Sequence, residues 1–289
     1  MKKYTLSVLL FLLFHTLIFA QTNIIDLLIK DASIIDVNSG KIVDNQVVAV
    51  RNGEIIDVGS ASKLAKYKAK QTISVKGKFV MPALWDMHVH FGGGDSLIQE
   101  NKDLLNLYVA MGITVVRDAA ADITPSVLEW RKAVNEGKLL GPTIFTSGPK
   151  LEGYKSIWKG DIEVGTIEEV NKALDSLQKL KVDFVKITDN TIKPEIYLAS
   201  IKEAGRRGYK TSAHIPAVFT IQQVSNAGLS SIEHITYLLR AGLKNEKYLT
   251  QQVANGILQA RELSLKALNE FDEATAEAIL KFWQKIKLQ

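Results

Sequence analysis

The sequence predicts an α/β fold built on parallel strands, an incomplete (β/α) barrel of the TIM type, with a small β-rich region before it. Three observations carry this expectation. From Phe79 onward, short apolar β-prone runs alternate with helical patterns. Before Phe79 only short strands and turns occur. All the histidines after residue 20 fall at predicted strand ends. Alternating β and α units of this length specify a parallel sheet with right-handed crossovers, closed as a barrel or open and doubly wound.

Composition agrees with a globular chain. The 289 residues are 46% hydrophobic and 23% charged, enough to bury a sizeable core. Cys is 0, which excludes a disulfide scaffold and a lipid-anchored thiol. The net charge of +5 includes Lys2 and Lys3 and is spread without a basic run, so nucleic acid is not an expected partner.

Residues 1–20 read as an export signal. Lys2 and Lys3 precede an apolar run from Tyr4 to Phe19, and Ala20 supplies the small residue before a cut. The expectation is an exported chain, periplasmic or secreted, with no stable membrane span after cleavage. Residues 21–80 are predicted as the strands Ile24–Ile29, Ile34–Val37, Val47–Val50, Ile55–Val58 and Thr72–Val75, part of a small β-sandwich. Asn52-Gly53 is a strong hairpin turn between two of them.

Residues 81–240 are the predicted partial barrel. Its expected strands are Val80–His90, Thr114–Asp118, Thr143–Thr146, Asp183–Thr188, Lys210–His214 and Ser231–Ile235. Its expected helices are Gln99–Met111, Pro125–Glu136, Thr166–Leu180, Pro194–Arg207 and Ala217–Ala227. Thr166 with Glu169 three residues on is a capping signal, and Pro194 suits a first helical turn. Residues 241–289 break the rhythm and read as helical.

His88 and His90 are one residue apart, so in a strand both imidazoles face the same side and can share a cation such as Zn²⁺. His214 and His234 close two later strands, at the barrel end where chemistry is assembled. Lys186 sits mid-strand, where a buried ammonium needs relief. Two readings stand: a salt bridge, or loss of charge and reaction with CO₂ to give an anionic carbamate.

These residues lie in segments that resemble the amidohydrolase superfamily. The matching stretches are Val50 to Ile55, Gly77 to His90 with Asp86-Met87-His88-Val89-His90, and Gly112 to Asp118. Ser147-Gly148-Pro149, Asp183 to Ile187, Ala213-His214 and Ser231-Ile232-Glu233-His234 follow in order. The resemblance implies that His88, His90, Lys186 as carbamate, His214 and His234 hold one or two divalent ions, most simply Zn²⁺. It also implies hydrolysis of amide, cyclic amide or dipeptide-like carbon–nitrogen bonds through a metal-activated hydroxide.

The family's aspartate at the end of strand 8 has no counterpart. Asp272, in Glu270-Phe271-Asp272-Glu273, reads as a solvated helix face. The expected barrel therefore has about six of eight units, with a catalytic base unassigned. An inactive remnant and a metal-binding scaffold that closes its edges by self-association are the alternatives. Among the remaining residues, Asp86 is expected to orient His88, Arg117 to meet a substrate carboxylate or a structural partner, and Tyr154 to wall the substrate. Glu233 is expected to point away from the site by strand alternation.

Overall fold

The computed structural model describes residues 24–287, which divide after Pro82 into two compact units. The predicted export signal, residues 1–20, lies outside the described residues. No helix among the described residues is long and apolar enough to cross a membrane.

The first unit is one mixed sheet. Its strands are β1 (Ile24–Asp36), β2 (Lys41–Arg51), β3 (Glu54–Ser60) and β4 (Lys68–Ser74), in the order β3-β2-β1-β4, with β5 (Phe79–Val80) also on β1. The Asn52-Gly53 turn joins β2 and β3 with φ of 53° and 78°, both positive, as a two-residue hairpin of this twist requires. The two strands expected at Ile24–Ile29 and Ile34–Val37 are a single strand. Register shifts between Ile29 and Ile34, where Asp31 takes φ 60°, kink it without ending it. Helix α1 (Ala61–Leu64), capped by Ser60, sets Leu64 against Ile25, Leu28, Val47 and Ala49.

The second unit alternates strand and helix. Its first half contains β6 (Leu84–Val89), α2 (Ile98–Ala110), β7 (Ile113–Asp118), α3 (Thr124–Asn135) and β8 (Thr143–Thr146). Then come β9 (Leu151–Glu152), β10 (Ile162–Glu163), α4 (Ile167–Leu180), β11 (Val185–Ile187), α5 (Pro194–Arg206), β12 (Thr211–Ala213), α6 (Ile221–Asn226) and β13 (Ser231–Ile232). All these strand pairs are parallel, in the orders β6-β7-β8 and β10-β9-β11-β12-β13. The Asp183 amide bonding Thr146 O ties the two sheets together. Among the described residues, β6 pairs only with β7 and β13 only with β12.

Local chemistry explains most boundaries. Thr166 and Glu169 form the expected capping box of α4, and Pro194 starts α5. Helix α6 starts four residues after the expected Ala217, because Thr220 and Gln223 form a second capping box. The strand expected at Val80–His90 is interrupted at Pro82, so Phe79–Val80 joins the first unit and Leu84–Val89 opens the second. Helices α4 and α5 cover β11 and β12 through Leu174, Leu177, Tyr197 and Ile201 on Val185 and Ile187.

After β13 come α7 (Ile235–Leu238), α8 (Glu246–Ala254), α9 (Ala260–Asn269) and α10 (Glu273–Lys287). Asp272 keeps contact with solvent, as expected, but is not on a helix face. It stands just before α10, where Oδ1 accepts the Thr275 amide at 2.9 Å and Oδ2 meets Lys244 Nζ at 2.8 Å. A carboxylate committed to a helix start and a lysine is accounted for structurally.

Candidate metal centre

The second unit brings the four strand-end histidines together. His88 and His90 leave β6 on one face, as their spacing requires, and their Nε2 atoms stand 3.0 Å apart. The His88 and His234 ring centroids are 4.6 Å apart, and those of His214 and His234 are 5.0 Å apart. His234 reaches the cluster through a backbone φ of 64°, which ends β13 and turns the chain into α7.

The outer ring nitrogens of His88, His90 and His214 are committed. His88 Nδ1 meets Glu233 Oε2 at 2.5 Å, and His90 Nδ1 meets Ala120 O at 3.3 Å. His214 Nδ1 meets Asp189 Oδ1 at 3.2 Å, while Tyr197 Oη donates to His214 O at 2.7 Å. A carbonyl or an ionised carboxylate can only accept, so each of these Nδ1 atoms carries its hydrogen. In the neutral rings, Nε2 is then a bare lone pair. The His90 ring opens on the cavity yet is enclosed by its walls, and that desolvation pushes its pKa down to about 4.

Lys186 lies on β11 with no exposed surface, and its Nζ has no hydrogen-bond partner among the described residues. Burial lowers its pKa to about 8, against a smaller opposing pull from Glu233. The salt bridge that strand position alone suggests is absent among the described residues. A cavity of about 410 Å³ opens over Lys186, His90, His214 and His234, walled by Ala120–Asp122, Lys150 and residues 158–161. Lys150 Nζ bonds Asp161 at 2.8 Å and lies 5.3 Å from the Trp158 ring centroid, pinning that wall.

These donors fit a divalent cation. Two bare imidazole nitrogens at 3.0 Å repel unless a proton or a cation lies between them, and tetrahedral zinc sets its nitrogens about 3.3 Å apart. No three His, Cys, Asp or Glu side chains among the described residues are already gathered as one metal-holding group. The convergent set is an imidazole pair, a lysine, and two further rings that must turn to join it.

No protein-family model matches the chain. Dihydroorotase from Trichlorobacter lovleyi is 37% identical over 250 residues, which cover 83% of this chain and 52% of that protein. Ochratoxinase from Aspergillus niger is 25% identical over 277 residues, covering 76% and 57%. The chain thus spans little more than half the length of these curated relatives. Among solved structures, A. niger ochratoxinase superposes with a TM-score of 0.59 at 20% identity, covering 83% of this chain and 73% of that one. A Xaa-Pro dipeptidase with bound methionine gives 0.61 at 20% identity, covering 84% and 77%. The chain belongs to the amidohydrolase superfamily.

Three expectations for this superfamily member are corrected. Glu233 does not point away from the site: it is buried at 3% exposure and bonds the His88 ring. Strand β13 ends at Ile232, so alternation counted back from His234 fails. Counted forward from Ser231 it holds, since Ser231 Oγ donates to Glu233 Oε1 at 2.8 Å. Asp86 accepts the His88 backbone amide at 3.2 Å, so Glu233 is the partner of the ring. Tyr154 packs on Gly165 and donates to Glu169 Oε2 at 2.6 Å, outside the cavity lining, where the aromatic wall is Trp158. Arg117 takes the structural role, pairing with Glu233. Asp189 joins the site without a motif; its one sequence signal is a carboxylate three residues after Lys186 at a strand end.

Proposed function

We propose that this amidohydrolase hydrolyses carbon–nitrogen bonds in small amide, cyclic amide or dipeptide-like substrates with the help of a divalent cation, most simply zinc. The observation that carries the reading is the approach of His88 Nε2 to His90 Nε2, 3.0 Å apart, with His90 lining a cavity that also holds an unpartnered Lys186. His88 and His90 would hold one cation. His214, His234 and Lys186, the last as a carbamate formed from its amine and CO₂ with loss of a proton, would hold a second. Bound there, a cation supplies Lewis acidity toward a carbonyl and lowers the pKa of water toward neutrality.

The chain's own groups supply the rest. Desolvation keeps His90 in the neutral, ligating form. The Lys150–Asp161 pair and Trp158 hold the cavity wall and narrow its access to water. Lys159, which lines the cavity and has no ion pair among the described residues, suits a substrate that carries a carboxylate. The relatives named ochratoxinase and dihydroorotase, and the Xaa-Pro dipeptidase likeness, support the substrate class. The Lys2–Ala20 pattern supports action outside the cytoplasm.

Metal content and turnover of the purified chain test this together. About two zinc ions per chain, and hydrolysis of N-acyl amino acids or dipeptides that stops with a chelator and returns with zinc, is the expected result. Tight metal uptake without turnover of any such substrate would overturn the hydrolase in favour of a metal-binding scaffold. No uptake at all would overturn the centre.

A further inference from the structure

Glu233 is bonded in a way that a carboxylate with only structural duties would not need. Its Oε1 accepts from Arg117 Nη2, from Ser212 Oγ at 2.6 Å and from Ser231 Oγ at 2.8 Å. Its Oε2 is left to a single partner, His88 Nδ1. Arg117 does not grip both oxygens. Its Nε donates to Met87 O at 2.7 Å and its Nη1 to Ser231 Oγ at 3.3 Å. Donors from β7, β12 and β13 thus fix the carboxylate's orientation, and the remaining oxygen is aimed at a ring on β6.

The consequence is a choice of tautomer. An imidazole whose Nδ1–H is held by an ionised carboxylate has its lone pair on Nε2, the atom that faces His90 Nε2. With Nε2 protonated instead, the same ring in the same place could not ligate. We propose that the buried Glu233–Arg117 pair is the positioning device of the centre, fixing the Nδ1–H tautomer of His88 so that its Nε2 lone pair meets the cation shared with His90. The proposal rests on the reading of a cation at His88 and His90. Glu233 is a positioning residue, acting on the cation only through His88.

The variant that separates the possibilities is Glu233→Gln. Arg117 can be satisfied only by the amide oxygen, so the amide NH₂ turns toward His88 and calls for a bare Nδ1. The ring should therefore invert to the Nε2–H tautomer. Nitrogen-15 spectra of the histidine-labelled, metal-free chain read the tautomer directly, and zinc competition against a chelator reads affinity. The expected results are Nδ1–H for His88 in the unaltered chain, inversion in Glu233→Gln, and zinc binding weaker by roughly 10–100-fold. Ser212→Ala, which removes one of several donors to Oε1, should change affinity less than about 3-fold, far below that range.

An unaltered chain with Nε2–H at His88 would overturn the proposal, and that spectrum decides even if Glu233→Gln fails to fold. So would a variant that melts lower but keeps both tautomer and zinc affinity, the signature of a purely structural ion pair. Should the unaltered chain take up no zinc, the metal reading fails while the tautomer measurement still judges the positioning role.

Discussion

Lys186 and Arg240 are both buried cations of the second unit, 0% and 3% exposed, and their surroundings are opposite. Arg240 donates to the carbonyls of Ile215, Pro216 and Phe219 and lies 3.5 Å from Glu246. Lys186 has no hydrogen-bond partner among the described residues and looks into a cavity. Burying a charge is costly unless hydrogen bonds and an opposite charge offset it. Arg240 meets much of that condition through three carbonyls, its Nε alone lacking a hydrogen-bond partner among the described residues, and it clamps the segment after β12 to the turn after α7. Lys186 does not, which supports the proposal that a ligand or modification completes it.

The sharpest way to break this comparison is to remove each charge while keeping its bulk. Arg240→Met should destabilise the chain by about 3–5 kcal/mol, because three carbonyls lose their donor and Glu246 its counter-ion. Chemical denaturation at neutral pH checks it, and a loss below about 1 kcal/mol would mean the clamp is incidental. Lys186→Met should act with the other sign in the metal-free chain, raising stability by about 1–3 kcal/mol as an unpaired buried charge disappears. The same variant should weaken uptake of the second zinc ion on the order of 100-fold or more, since one ligand is gone. Equal destabilisation by both substitutions would erase the distinction.

The same contrast marks how much could be read from the chain itself. Lys186 is conspicuous in sequence because a lysine in Val185-Lys186-Ile187 breaks an apolar strand, although strand position alone leaves a salt bridge and a carbamate both open. His88 and His90 were legible because a period of two fixes their common face. Arg240, Glu233 and Asp189 were not, and the reasons are local. Strand β13 is only Ser231–Ile232, and the positive φ of His234 is a non-glycine turn that no residue pattern announces. Arg240 sits in a single 3₁₀ turn, Leu239–Gly242, between short helices, where neither helical nor strand periodicity lasts long enough to assign an inward face. Likewise β9 and β10, at two residues each, fall inside what reads as a loop, although β9 pairs with β11 and carries the buried Glu152. Parallel strands held by long-range pairing need no local signature when the neighbouring strand supplies the register.

The Arg240 side can be sharpened by pH. Glu246 receives the Ile221 amide at 3.1 Å, but its 3.5 Å distance to Arg240 gives it less than burial takes away, and its pKa rises to about 7. Arg240 spends its Nη1 and Nη2 hydrogen bonds on carbonyls, so among the described residues only its Nε lacks a hydrogen-bond partner, and most of its donors are satisfied without a fully charged Glu246. A folded-state pKa above the unfolded value means the native chain holds a proton that the unfolded chain has already released. That contribution is complete below about pH 4.5 and is lost as pH rises to about 7, beyond which it is flat. Its size is about 2 kcal/mol, allowing for partial solvent screening of the shift. Denaturation midpoints between pH 5 and 8 should therefore fall in the unaltered chain, with a flatter profile in Glu246→Gln. A profile that instead rises through this window would mean that Arg240 and Glu246 form a fully charged pair. Arg240 would then depend on a carboxylate, and the contrast with Lys186 would rest on ion pairing and no longer on carbonyl bonds.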